Sequence, residues 1–177
     1  AAYNRLVELR NRIANAFGQI DVQLKRRYDL IPNLVEVARG YLQHEASTLQ
    51  AVIEARGQAQ GAAAVARAAP TNAGAVSGLS MAEGVLGASL GRLMAVSERY
   101  PELKADATMQ QLSEELASTE NRVGFARQAF NDQVLDFNNA AQQFPTLIVA
   151  RLAGFAPAAM LASTQSDEER RAPRVQF

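Results

Sequence analysis

Residues 109–144 read MQQLSEELASTENRVGFARQAFNDQVLDFNNAAQQF, and this stretch decides the fold. Met109, Leu116, Val123, Phe130, Phe137 and Phe144 recur every seventh residue. Leu112, Ala126, Val134, Ala140 and Ala141 fill the same face, with Thr119 and Gln133 as polar exceptions. A heptad sustained this long predicts a long helix packed in the manner of a coiled coil. Some 35 residues at 1.5 Å each reach roughly 50 Å. Pro145 stops the helix. Glu114, Glu115 and Glu120 beside Arg122 and Arg127 read as a wet helix surface, worth a few tenths of a kcal/mol per pair.

Upstream, Leu6, Leu9, Ile13, Phe17, Ile20 and Leu24 recur at three- and four-residue steps, the pattern of one helix face from Tyr3 to Ile31. The residue before a proline is pushed out of the α region, so Ile31 reads as a boundary. Pro32 then either begins the next helix or kinks one long rod. A second segment runs from Pro32 to about Gln60, with Val35, Leu42 and Leu49 seven apart. Ala62 to Ser80 is Ala- and Gly-rich, and Pro70-Thr71-Asn72 with Gly74, Ser77 and Gly78 reads as a loop. A third segment, Leu79 to Arg99, repeats Leu79, Leu86, Leu93 and Tyr100. Its stripe of Gly84, Ala88, Gly91 and Ala95 predicts close approach of another helix, since each Gly costs about 1 kcal/mol relative to Ala. Tyr100-Pro101-Glu102 reads as a turn. The expectation is all-α: an antiparallel bundle of about four long helices over 1–145, then a short C-terminal helix and extended tail over 146–177. In that tail Ser166 and Glu169 have capping-box spacing.

Composition excludes several chemistries. The 177 residues contain no Cys, no Trp and one His, with 18 basic and 18 acidic side chains. Disulfide frameworks, Cys zinc sites and Cys nucleophiles are absent. Carboxylate-bridged metal bundles need Glu-x-x-His on each of two helices, and the only His, His44, follows Tyr41 at that spacing. No metal and no cofactor are expected. Zero net charge gives no global pull toward nucleic acid. No run of about 20 apolar residues spans a membrane.

Candidate interaction residues are few. Lys25, Arg26 and Arg27 form a basic cluster beside Tyr28, diluted by Asp21 and Asp29. Ion pairs with a neighbouring helix or a solvated face is the favoured reading; contact with anionic lipid or phosphate is the other. His44-Glu45 offers a proton or partner site. Val175-Gln176-Phe177 is an apolar-x-apolar terminus of the kind that adds as a strand to a PDZ-type groove. No nucleophile, base and orienting group stand together, and no phosphate-binding Gly loop follows a strand. The chain reads as no enzyme.

Residues 15–35, NAFGQIDVQLKRRYDLIPNLV, resemble the signature block of the LemA family. Gly40-Tyr41, His44-Glu45, Glu54-Ala55-Arg56, Tyr100 to Ala105, Glu120 to Val123, Ala126 to Gln128, Asn131-Asp132, Phe144-Pro145, Gly154-Phe155 and Ala172 to Phe177 extend the resemblance over nearly the whole chain. The Ala62–Ala75 stretch and Thr146-Leu147-Ile148 depart from the family pattern. The resemblance implies a bacterial antiparallel helical bundle behind one N-terminal transmembrane anchor, no established enzymatic activity, a scaffold role, oligomers, and in some members genes near a membrane protease of the HtpX type. The chain begins Ala1-Ala2-Tyr3 without Met, which reads as part of something longer. Arg5, Arg10 and Arg12 would follow the anchor, and the positive-inside rule places the bundle on the cytoplasmic side of the inner membrane. The competing expectation is a ligand-binding or hydrolase-subunit bundle. It requires Tyr28, His44, Glu45 and Tyr100 to converge on one pocket.

Overall fold

The computed structural model describes residues 1–143 and 145–162. They form six helices: α1 (Ala2–Arg39), α2 (Ala46–Ala68), α3 (Ala73–Ser97), α4 (Pro101–Lys104), α5 (Ala107–Gln142) and α6 (Thr146–Ala153). No strand occurs among the described residues. The all-α expectation stands, with more elements than the expected four. Pro101 opens the one-turn α4 where a bare turn was expected, and α6 adds eight residues after Pro145.

Pro32 does not end the first helix. It lies on an exposed face inside α1, which runs unbroken for 38 residues. Proline lacks the N–H that would bond the carbonyl four residues back, that of Tyr28. Arg56 of α2 supplies the missing donor: its Nε donates to the Tyr28 carbonyl oxygen at 2.6 Å. The segment boundary therefore moves from Pro32 to the turn at Gly40–Glu45.

The expected loop over Ala62–Ser80 also shrinks. α2 continues to Ala68, and α3 begins at Ala73. Asn72 caps it, accepting from the Ala75 N–H at 2.9 Å, as short polar side chains do at helix starts. Gly74 and Gly78 are helical, because packing of Val76 and Leu79 into the core outweighs their weak propensity.

The small-residue seam falls on a different helix from the one expected. Ala55, Ala59, Ala63 and Ala66 of α2 are buried, forming a strip at helical spacing. On α3 the large residues Leu79, Leu86, Leu90 and Leu93 face inward. Gly84, Ala88, Gly91 and Ala95 are exposed or half-exposed, and a Cβ added at Gly84 or Gly91 would meet nothing within 4 Å. No described helix approaches α3 along that stripe.

α1 and α5 make the most extensive pair and α2 and α3 the next. Asp21 meets Arg67 and Tyr28 meets Ala59, so α2 runs opposite to α1. Tyr41 meets Asp106, Arg27 meets Glu120 and Phe17 meets Phe130, so α5 does too. Along α5 the heptad residues Met109, Leu116, Val123, Phe130 and Phe137 are all buried, with Phe17 and Phe130 edge to face at 5.9 Å. Phe144 lies outside the described residues, as do Ser166, Glu169, Val175 and Phe177. Thr119, one polar exception, is buried with its hydroxyl donating to the Glu115 carbonyl at 2.8 Å. After α6, Gly154 adopts φ 78°, a conformation natural to glycine. The chain then runs as an extended strap to Ala162.

Candidate functional site

The polar heart of the molecule lies on about two turns of α1 between Asp21 and Tyr28. Arg27 follows Leu24 by three residues and precedes Ile31 by four, so it sits on the apolar stripe and is driven inward with it. Its side chain is 1% exposed. Glu83 of α3, 3% exposed, lies between Leu79 and Leu86 on the inward face. Arg27 donates to Glu83 at 2.8 Å and to Glu120 of α5 at 3.2 Å. Tyr28 donates its hydroxyl to the other Glu83 oxygen at 2.7 Å. Glu83 thus holds both neighbours with its two oxygens, and α1, α3 and α5 are joined at one point.

A buried ion pair needs such additional bonds, because desolvation otherwise cancels the Coulomb gain. Burial, and then the adjacent Glu83 carboxylate, push the Tyr28 phenol far above its ordinary range, so it stays protonated and acts as a donor. About two turns earlier, Asp21 accepts a two-pronged bond from Arg67 of α2 at 2.6 and 3.0 Å, with Lys25 at 3.4 Å. The hydrogen bond to Asp21 raises the Arg67 guanidinium above its usual range.

The basic cluster is therefore divided. Lys25 is exposed beside Asp21, Arg26 is exposed 3.5 Å from Glu115, and Arg27 is enclosed in the core. Three adjacent cations point three ways because successive helix positions are about 100° apart. A lipid surface can reach Lys25 and Arg26 and cannot reach Arg27.

The residues of the competing site do not converge. Tyr100 donates to Glu45 at 3.3 Å, and His44 is exposed in the turn before α2. Tyr28 is bound to Glu83, and the 14 residues of α3 from Glu83 to Ser97 span about 20 Å. An open cleft of about 340 Å³ lies at the α1–α2 turn, lined by Arg39, Leu42, Ala46, Leu49 and Ile53 among others. None of Tyr28, His44, Glu45 and Tyr100 lines it. Among the described residues no group of three or more His, Asp or Glu side chains is placed to hold a metal ion.

At the α1–α2 end, Tyr41 donates to Asp106 at 2.7 Å, while the other Asp106 oxygen caps α5 at the Met109 N–H, 2.9 Å away. The Tyr41 hydrogen bond, and then the cap, hold the Asp106 carboxyl below its usual range. The same bond raises the Tyr41 phenol.

Sequence reading missed three positions that tie elements together. Glu83 was legible as a carboxylate on an apolar stripe. Asn131 and Asn138, seven apart on α5, hold the strap: each side chain both donates to and accepts from one strap residue, Leu161 and Ala158 respectively, at 2.8–3.1 Å. Two asparagines at heptad spacing were the available signal.

These observations define an all-helical protein whose long helices are stitched by buried polar bonds. The sequence profile of the LemA family matches residues 16–177, and the chain belongs to that family. It is 34% identical over 82 residues to magnetosome protein MamQ of Magnetospirillum gryphiswaldense, covering 46% of this chain and 30% of that protein. It is 32% identical over 74 residues to magnetosome protein MamQ 2 of Paramagnetospirillum magneticum, covering 42% and 27%. The matched stretch thus spans less than a third of either relative's length.

Proposed function

We propose that this chain is the helical portion of a non-enzymatic, membrane-anchored scaffold that assembles with copies of itself and with a membrane protein partner. The carrying observation is the open face of α3. Met81 is 74% exposed and Val85 52%, in line with Gly84, Ala88, Gly91 and Ala95, and no described residue covers them. Contiguous exposed apolar surface of this kind marks protein or membrane contact. By length and composition α3 is also apolar enough to cross a membrane, with 33% of that stretch buried. Glu83, locked to Arg27 in the core, argues that α3 instead packs on the other helices and offers only its outer face.

Family membership supports an anchor ahead of α1 and a bacterial inner-membrane setting. Arg5, Arg10 and Arg12 favour the cytoplasmic over the periplasmic side. A membrane protease of the HtpX type is the proposed partner beside self-assembly, and the Val175–Phe177 segment is a second place for a partner to engage. The core favours a structural over an enzymatic role: Tyr28 is held protonated, and both Glu83 oxygens are occupied by Arg27 and Tyr28.

The test is crosslinking and co-purification of the natural full-length protein from its own membranes. It is expected to pellet with membranes and to yield crosslinked copies and a membrane protein. A full-length protein that is membrane-free, monomeric and partnerless refutes the reading.

A further inference from the structure

Among the described residues, the strap of residues 155–162 is held differently from the rest. It is extended, while every other long described segment is helical. Its bonds to α5 are made by side chains that imitate a neighbouring strand. The amide of Asn138 donates to the Ala158 carbonyl at 2.9 Å and accepts from the Ala158 N–H at 2.9 Å. Asn131 does the same to Leu161, at 3.1 and 2.8 Å. Ser80 of α3 accepts from the Ala162 N–H at 3.0 Å. All five bonds address backbone atoms, so the geometry reads an extended chain rather than particular side chains. Side-chain selection comes from the buried Ala158 and Leu161 and from Phe155, whose ring packs against Tyr3 and Phe137 and under Arg10.

Beneath the strap, Leu161 and Ala162 close a void of about 10 Å³ whose other walls include Glu83, Leu24 and Val123. That is space for about one water. The strap therefore seals the Arg27–Glu83 pair, and removing it without replacement would wet a buried ion pair. The segment leading into the strap is lightly seated. α6 buries only Ala150, its Leu152 is 85% exposed, and an open cleft of about 270 Å³ is lined by both α6 and α5. Gly154, in the left-handed conformation, turns the chain between α6 and the strap.

We propose that Asn131, Asn138 and Ser80 form a backbone-reading peptide site that receives the strap of a second copy of this chain in exchange for its own. The occupant follows from the page. The seal over Glu83 must be replaced like for like, and the segment known to fit, Ala158 to Ala162, is carried by every copy. Exchange makes the same five bonds in trans, so its cost is that of association alone, as in domain swapping. The arriving copy also meets the open face of α3, because Gly84 of that face lies one turn after Ser80. This deepens the scaffold reading and rests on its self-assembly.

The absence of cysteine gives a clean test. Differently tagged S80C and A162C chains are mixed and oxidised, with the S80C/A162C chain as the in-cis control. The expected result is a mixed-tag disulfide between the S80C and A162C chains. It should fall at least tenfold when the S80C chain also carries N131A/N138A. It should fall equally when the A162C chain carries A158P, which removes one strap N–H and leaves every helix untouched. If the control closes on itself while the mixture gives no mixed-tag disulfide, exchange is overturned. A mixed-tag disulfide unaffected by either clamp variant overturns the site. Light scattering on the unsubstituted chain separates the two readings. Oligomers without mixed-tag disulfide overturn exchange and leave the scaffold reading standing, whereas a monomer at all concentrations overturns exchange and self-assembly together.

Discussion

α1 with α5, and α2 with α3, are two solutions to the problem of packing helices, one with large side chains and one with small. The first pair buries large side chains, Leu6, Ile13, Phe17, Ile20, Phe130 and Phe137, in interlocking rows. The second sets an alanine seam on α2 against leucines on α3, and leaves the far side of α3 bare. The separation between helices depends on the side chains at their contact, so the two pairs tolerate different substitutions. Polar bonds from Asp21, Arg27 and Tyr28 bind the two pairs to each other. The α1–α5 pair behaves as a conventional core, and the α2–α3 hairpin as a layer fastened to it through those polar bonds, with one face of α3 exposed.

The largest effect is expected where the pairs are fastened. Arg27→Met leaves Glu83 buried without its cation, and should lower unfolding free energy by about 3–5 kcal/mol in urea titration. The double change R27M/E83M should recover part of that loss. If R27M alone is neutral, the two pairs are not joined through Glu83. Overfilling the seam comes next. Ala59→Leu or Ala63→Leu should cost about 1–3 kcal/mol. Ala88→Leu on the bare face of α3 should stay within about 0.5 kcal/mol, as surface changes do. Equal costs at the two places would erase the distinction between seam and open face.

A similar or smaller loss is expected from Arg56→Ala, which orphans the Tyr28 carbonyl at a cost of about 1–3 kcal/mol. Pro32→Ala should rescue it by restoring a backbone donor, and failure of rescue would show that Arg56 acts otherwise. The smallest effect is a pH dependence. Asp106 is depressed by Tyr41, so its contribution is present above the ordinary carboxylate pKa of about 3.9 and is lost as pH falls through the lower folded value. Tyr41 is raised, so the bond's contribution also declines as pH rises above about 10. Tyr41→Phe should move the Asp106 titration upward in NMR. An unmoved titration would assign the depression to the helix cap.

Much of this was legible in sequence. The Met109-to-Phe137 heptad and the Leu6-to-Leu24 stripe locate the rows that fill the core. Three elements were misread for physical reasons. Pro32 signals a break only where no outside donor serves the orphaned carbonyl, and Arg56 is 24 positions downstream. The Ala- and Gly-rich turn looked too weak for helix because local propensity omits the burial of Val76 and Leu79. The seam was sought where glycine marked it, on α3, whereas alanine on α2 provides it. Ion pairing of the Lys25–Arg27 cluster with a neighbouring helix was legible, but that Arg27 makes the buried pair, and with Glu83, emerges only when apolar stripes are matched across two helices. That pairing is a tertiary fact, and no single periodicity contains it.

The proline in α1 has a mechanical consequence. A continuous helix of 38 residues, about 57 Å long, transmits a push or twist from one end of the molecule to the other. Its stiffness at Pro32 is borrowed, since the stabilising donor belongs to α2. While Arg56 is seated the rod is one strut. Any displacement of α2 that withdraws Arg56 gives the strut a joint between Tyr28 and Pro32, beside the cations Lys25 and Arg26 and below the turn that carries His44.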